Sequence, residues 1–168
     1  MNPSQISPGV LDGSAQHAFS LGACGALAIA LHDHTGWPLV LVTDAASAYS
    51  PNAEANLATA DEHARANPAN RAGLGASGLH WLVLHPTGKL LDVDGLHSPE
   101  EVLAEYEGHG DEDCDGRVAI AQAGRDHALE EYVDAKGEPI ALQLAATFVM
   151  PVLAQIPASH PDSASGRA

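Results

Sequence analysis

Residues 80–94 read HWLVLHPTGKLLDVD, two short apolar runs on either side of Pro86-Thr87-Gly88. Pro followed two places later by Gly suits a type I turn closed by a left-handed glycine, the three-residue hairpin with a bulge. In such a hairpin residue 85 faces 89, residue 84 faces 90 and residue 83 faces 91. His80 then lies opposite Asp94 and diagonal to Asp92, with all three on one face of the sheet. An antiparallel pair therefore stands at the centre of the chain.

Upstream, Gly22–His34 (GACGALAIALHDH) is rich in Ala and Leu and predicts a helix. Gly36 suits the position just past its end, and Trp37-Pro38 forbids continuation. Leu39–Thr43 (LVLVT) is short, apolar and β-branched, as a buried strand would be. Residues 44–78 are rich in Ala, Asn, Ser and Gly; they predict a short helix over Ala53–Ala66 and a connection ending in Gly73–Gly78 that could border a cleft.

Downstream, Ser98-Pro99-Glu100-Glu101 has the order of a helix start: Ser98 as N-cap, Pro99 as first helical residue, Glu101 closing a capping box. That helix runs to about Glu107. An acidic loop over 108–116, a strand over Arg117–Gln122 and a helix over Arg125–Val133 come next. A long apolar helix extends from Pro139 toward Ile156, interrupted or ended near Pro151. Residues 1–15 read as a loose lead-in and 157–168 as a disordered tail. The expected architecture is one α+β domain over 16–156: an N-terminal helix on a small, mainly antiparallel sheet, with further helices after it.

The chain has 168 residues, 7 basic and 22 acidic, for a formal charge of −15. So acidic a protein offers little to a phosphate backbone or an anionic bilayer, and neither nucleic acid nor a membrane is an expected partner. Ten of the acids fall within 92–115, a stretch without Lys or Arg, and a basic protein partner would suit that face. The N-terminus lacks the features of a signal peptide, and no apolar run is long enough to span a bilayer. Cys24 and Cys114 form no disulfide framework or paired-Cys zinc site. These features lead to the expectation of a cytoplasmic protein that needs no cofactor.

Cys24 opens the first strong helix, where the positive end of the helix dipole and unpaired N–H groups favour thiolate. His80 begins a strand, and Asp92 and Asp94 lie on its neighbour. A nucleophile, a base and a carboxylate that orients the base are what acyl transfer requires. Taken singly, a Cys in an Ala-rich helix is a small hydrophobe, and Asp92 could cap a turn. Taken together, a Cys at a helix start and a carboxylate on a half-buried strand point to chemistry, because an unpaired buried carboxylate costs free energy that a His partner removes.

The two stretches GACGALAIALHDHTGWPLVLV (22–42) and GLHWLVLHPTGKLLDVDGLHSPEEVL (78–103) carry a resemblance. In motif order they resemble small bacterial and phage proteins of the papain-like cysteine hydrolase or transferase type, whose relatives include transglutaminase-like and arylamine N-acetyltransferase-like branches. The resemblance covers about residues 16–107. It implies Cys24 as nucleophile, His80 as general base and Asp92 as the orienting acid, with Asp94 as the substitute in another register. It also implies a protein, peptide or amide substrate. The chain departs from the peptidases in having Gly25 and Ala26 where an aromatic usually follows the Cys, and Gln16 is only a rough candidate for the oxyanion hole. The alternative is a catalytically inactive acidic interaction or inhibitor protein on the same scaffold.

Other motifs are weaker. Asp111–Gly116 (DEDCDG) has the opening of a calcium loop, but Gln122 stands where the bidentate acid belongs. His32-Asp33-His34 resembles a metal cluster on paper, yet residues 32 and 34 of a helix point to different sides. Gly73–Gly78 lacks the Lys-Ser/Thr and helix of a phosphate loop.

Overall fold

In the computed structural model the hairpin closes as its turn residues dictate. Gly88 takes φ +82°, its N–H donates to the His85 carbonyl at 2.9 Å, and the His85 N–H donates to the Lys89 carbonyl at 2.8 Å. Val83 pairs with Leu91 and Leu84 with Leu90, the register the turn implies. The structure describes residues 6–20, 22–44, 79–109, 117–134 and 142–157. Along them run α1 (Gly13–Ser20), α2 (Cys24–Thr35), β1 (Leu39–Asp44), β2 (His80–Leu84), β3 (Leu90–Asp92), β4 (Gly95–His97), α3 (Pro99–Tyr106), β5 (Val118–Ala123), α4 (Arg125–Asp134), α5 (Leu142–Ala146) and α6 (Val149–Leu153).

The fold is α+β. Five strands form one sheet in the order β4-β3-β2-β1-β5, and each neighbouring pair is antiparallel. Side chains that alternate along the strands feed two separate cores. Leu39, Leu41, Trp81, Val83 and Leu91 join α1, α2 and the C-terminal helices on one face. Val40, Val42, Leu82 and Leu90 meet Val102 of α3 on the other. Such a strand is buried on both sides, which is why β1 and β2 read as unbroken apolar runs.

Gly25 through Leu31 of α2 are all buried, so this helix is covered on every side, between the sheet and α1, α4 and α5. At ~1.5–3 kcal/mol for each fully buried Leu or Ile, α2 is a main source of stability. Gly36 ends it in the left-handed conformation at φ +71°, and its N–H donates to the His32 carbonyl. A bidentate pair between Arg125 and Asp33, at 2.7 and 2.8 Å, joins the start of α4 to the last turns of α2. The Ser98–Glu101 capping box forms with both of its hydrogen bonds.

Three expectations change. The described part of the lead-in is ordered against the core: Ile6 is 7 % exposed and Ala15 fully buried, and Asp12 Oδ1 accepts from the N–H groups of Ser14 and Ala15 to start α1. The apolar triple Ala15, Ala18 and Phe19 is one face of that short helix. The interruption expected near Pro151 in the C-terminal helix is there, but it falls ahead of the proline, at Thr147-Phe148. In a continuous helix the Pro151 ring would strike the carbonyl of residue 147 and leave it unbonded. Breaking there puts Pro151 in the first turn of α6, where a missing N–H costs nothing, and turns Phe148 onto Phe19 at 5.0 Å between ring centroids. Third, β3 stops at Asp92, and a turn at Val93-Asp94 leads straight into β4, so Asp94 is not opposite His80.

Among the described residues no single helix is long and apolar enough to cross a membrane. The expected helix over 53–66, the 73–78 connection, Cys114 and the 111–116 loop, and the tail beyond 157 lie outside the described residues.

Candidate active site

Cys24 is the first residue of α2, and His80 is the first of β2. The start of the helix and the start of the strand meet at one end of the sheet, where Gly25 of α2 packs on Trp81 of β2 with room for a Cβ at ordinary contact distance, 3.6 Å from Trp81 Cδ1. His80 is 3 % exposed, whereas Cys24 is half-buried. Under it Phe19, Leu27, Trp81 and Leu91 line a crevice too tight for a water molecule.

His80 Nε2 lies 3.0 Å from Asp92 Oδ2. Asp92 thus takes the role of His80's partner, while Asp94 is exposed and accepts from the Ser20 hydroxyl of α1 instead. With Nε2 engaged, Nδ1 is the nitrogen left to serve the thiol. It is fully buried and closes no well-aligned hydrogen bond among the described residues, although Cys24 and His80 are close enough for each to shift the other's titration. Contacts of this kind commonly tighten only when substrate arrives.

The electrostatics come from the placement. Burial opposes an imidazolium at His80, but Asp92 on one side and Cys24 on the other outweigh it and push the pKa up to about 9. Burial also opposes a thiolate at Cys24. The neighbouring His80 imidazole and the backbone N–H groups of Trp81 and Gly25 nevertheless bring the thiol below its ordinary value. Asp92 is likewise penalised by burial and still held below the usual carboxylate range by His80, the Asp94 N–H and His97. All three shifts run toward the charged forms: thiolate, imidazolium and carboxylate.

Two further side chains belong to this site, and sequence reasoning did not find them. His97 of β4 places Nε2 3.1 Å from Asp92 Oδ1. Tyr106 of α3 lies over the His80 ring at 5.5 Å and 16° between planes, and burial raises its phenol pKa. Knowing that β3 turns at Val93-Asp94 would have put His97 in reach of Asp92; the contiguous LLDVDG pattern hides that turn. Gln16 is half-buried on α1 and, among the described residues, makes none of the hydrogen bonds around Cys24. His32 Nδ1 lies 2.7 Å from the Trp37 carbonyl, and Asp33 is engaged by Arg125, so the 32–34 cluster is structural. Among the described residues no three His, Cys, Asp or Glu side chains are arranged to hold a metal ion.

Compared with protein-family models, with curated proteins and with solved structures, the chain matches none. The function of this site must therefore be argued from its own chemistry.

Proposed function

We propose that this chain is a thiol-dependent hydrolase or acyltransferase on a papain-like scaffold, acting on an amide or ester carbonyl of a protein, peptide or small amide. The observation that supports it is a buried imidazole held by a carboxylate at Nε2, with a thiol at a helix start close enough for the two to shift each other's titration.

In this reading the Cys24 thiolate attacks the carbonyl carbon. The oxyanion that forms faces the uncapped first turn of α2, whose N–H groups have no side-chain cap. The His80 imidazolium gives its Nδ1 proton to the leaving amine or alkoxide, and the carbon–heteroatom bond breaks to leave a thioester on Cys24. Neutral His80, held by Asp92 with its proton on Nε2, then takes a proton at Nδ1 from water or an amine that attacks the thioester. Release of acid or of the new amide returns the thiol. Asp92 stays ionised throughout and fixes the tautomer.

Alkylation by iodoacetamide, with peptide mapping across pH, tests the first requirement. Cys24 is expected to react well below pH ~8, and with a lower pH midpoint than Cys114. A Cys24 that is inert in the folded protein ends the thiol mechanism and leaves the acidic binding scaffold.

A further inference from the structure

His97 has no part in the steps above, yet it grips the carboxylate on which they depend. Asp92 Oδ2 faces His80 Nε2 at 3.0 Å. Asp92 Oδ1 faces His97 Nε2 at 3.1 Å and accepts from the Asp94 backbone N–H at 2.9 Å. Both oxygens are therefore engaged, one by each histidine. The side chains of His80, Asp92 and His97 are 4 %, 15 % and 29 % exposed, so the row runs from the interior toward solvent.

The backbone places His97 with little freedom. It pairs with Leu90 across the β3–β4 ladder, and Leu90 shares a face with Asp92 two residues on. Ser98, the next residue, is the N-cap of α3, with both capping-box hydrogen bonds in place. A ring fixed by a strand pair on one side and a helix cap on the other holds its nitrogen where the carboxylate needs it. The charged groups that face it are Asp92 and, from the first turn of α3, Glu101.

Without His97, Oδ1 keeps a single donor, the Asp94 backbone N–H, and the carboxylate can tilt about its last torsion away from the geometry that meets His80. Groups that orient a ligand or a base matter for this reason. We propose that His97 is a positioning residue for the Cys24–His80–Asp92 group. Its Nε2–H locks Asp92 so that Oδ2 meets His80 Nε2, which keeps the His80 Nδ1 lone pair toward the thiol. The proposal rests on the reading of Cys24 as nucleophile and assigns the site a fourth member.

The test compares His97→Gln with His97→Leu in the full chain. Both fill similar space, and only Gln offers a donor where Nε2 stands. The readout is the pH midpoint of Cys24 alkylation, with Asp92→Asn measured alongside and thermal melting as a check on folding. His97→Leu is expected to raise the midpoint by about one pH unit, equivalent to about tenfold slower alkylation below it. His97→Gln is expected to stay within about twofold of wild type, since it restores the hydrogen bond. At high pH all variants should converge, because the thiol ionises without help. An unchanged midpoint in His97→Leu while Asp92→Asn shifts it overturns the positioning role alone. Equal shifts in the Leu and Gln variants overturn it too, since volume and not the donor would then matter. A wild-type Cys24 with no lowered midpoint brings down the nucleophile reading itself, a separate and recognisable failure.

Discussion

Asp92→Asn keeps the side chain's shape and removes its charge, and the hydrogen bonds around it decide which way the new amide turns. Oδ1 accepts from the Asp94 N–H, and His97 Nε2 also faces it. The amide oxygen of Asn stays there, which turns its NH2 toward His80 Nε2. Two donors cannot face each other, so neutral His80 moves its proton to Nδ1 and loses the lone pair beside Cys24. Protonated His80 fares no better, because it is buried without its counter-charge. The rise of His80 from 6.5 to about 9 corresponds to about 3 kcal/mol between its two protonation states. Asp92 and Cys24 together produce that rise against the burial penalty, so losing the carboxylate lowers the His80 pKa and the thiolate fraction with it, about tenfold for each pKa unit.

The same shifts set the pH window. A raised folded-state pKa means that the stability His80 lends is complete below its ordinary 6.5 and is lost as pH rises through about 9. The lowered Asp92 contributes above its ordinary 3.8 and loses that contribution as pH falls through its folded-state value. The wild-type advantage over Asp92→Asn is therefore largest between those two ordinary values and shrinks toward pH 9. Urea unfolding monitored by Trp fluorescence at about pH 5.5, 7.5 and 9.5 measures it. A difference in unfolding free energy that is flat across those conditions would refute the ion-pair account, whatever its size.

Two structural predictions concern the scaffold that holds the site. Gly36→Ala forces a Cβ into the left-handed region at φ +71° and is expected to cost about 1 kcal/mol, with Gly36→Asn losing less; chemical denaturation of the pair decides. Phe148→Ala removes a ring with no solvent exposure that packs edge-on against Phe19, for an expected loss of about 3–5 kcal/mol. Because Phe19 also lines the crevice beneath Cys24, the variant should also show faster hydrogen exchange at the start of α2 than at β1; equal exchange would show that the C-terminal layer does not support the thiol.

Much of this protein is legible locally. Pro86 and Gly88 carry the turn that sets the β2–β3 register, and the register brings His80 to Asp92. Ser98 through Glu101 state a helix start in four residues, and Gly36-Trp37-Pro38 state a helix end. These are short-range steric and hydrogen-bonding facts, so a linear reading reaches them. Cys24 at a helix N-terminus belongs with them, as does the placing of His80 and a carboxylate, Asp92 or Asp94, on one face of neighbouring strands.

Other features needed the assembled chain. The choice of Asp92 over Asp94 depended on where β3 ends, and that is decided by β4 folding back on it through Val93-Asp94. Pro151 announces the split between α5 and α6, but what Phe148 packs on at the break, Phe19, is a contact across 129 positions that no local pattern encodes. His97 and Tyr106 came to the site from elements that pairing and packing brought there. The thiol's lowered pKa likewise comes from His80 and the Trp81 backbone, groups that only the packing of α2 on β2 brings to it. Local sequence determines turns, caps and the face each residue takes; distances between elements, and therefore charge states and partners, exist only once the two cores have closed on the sheet.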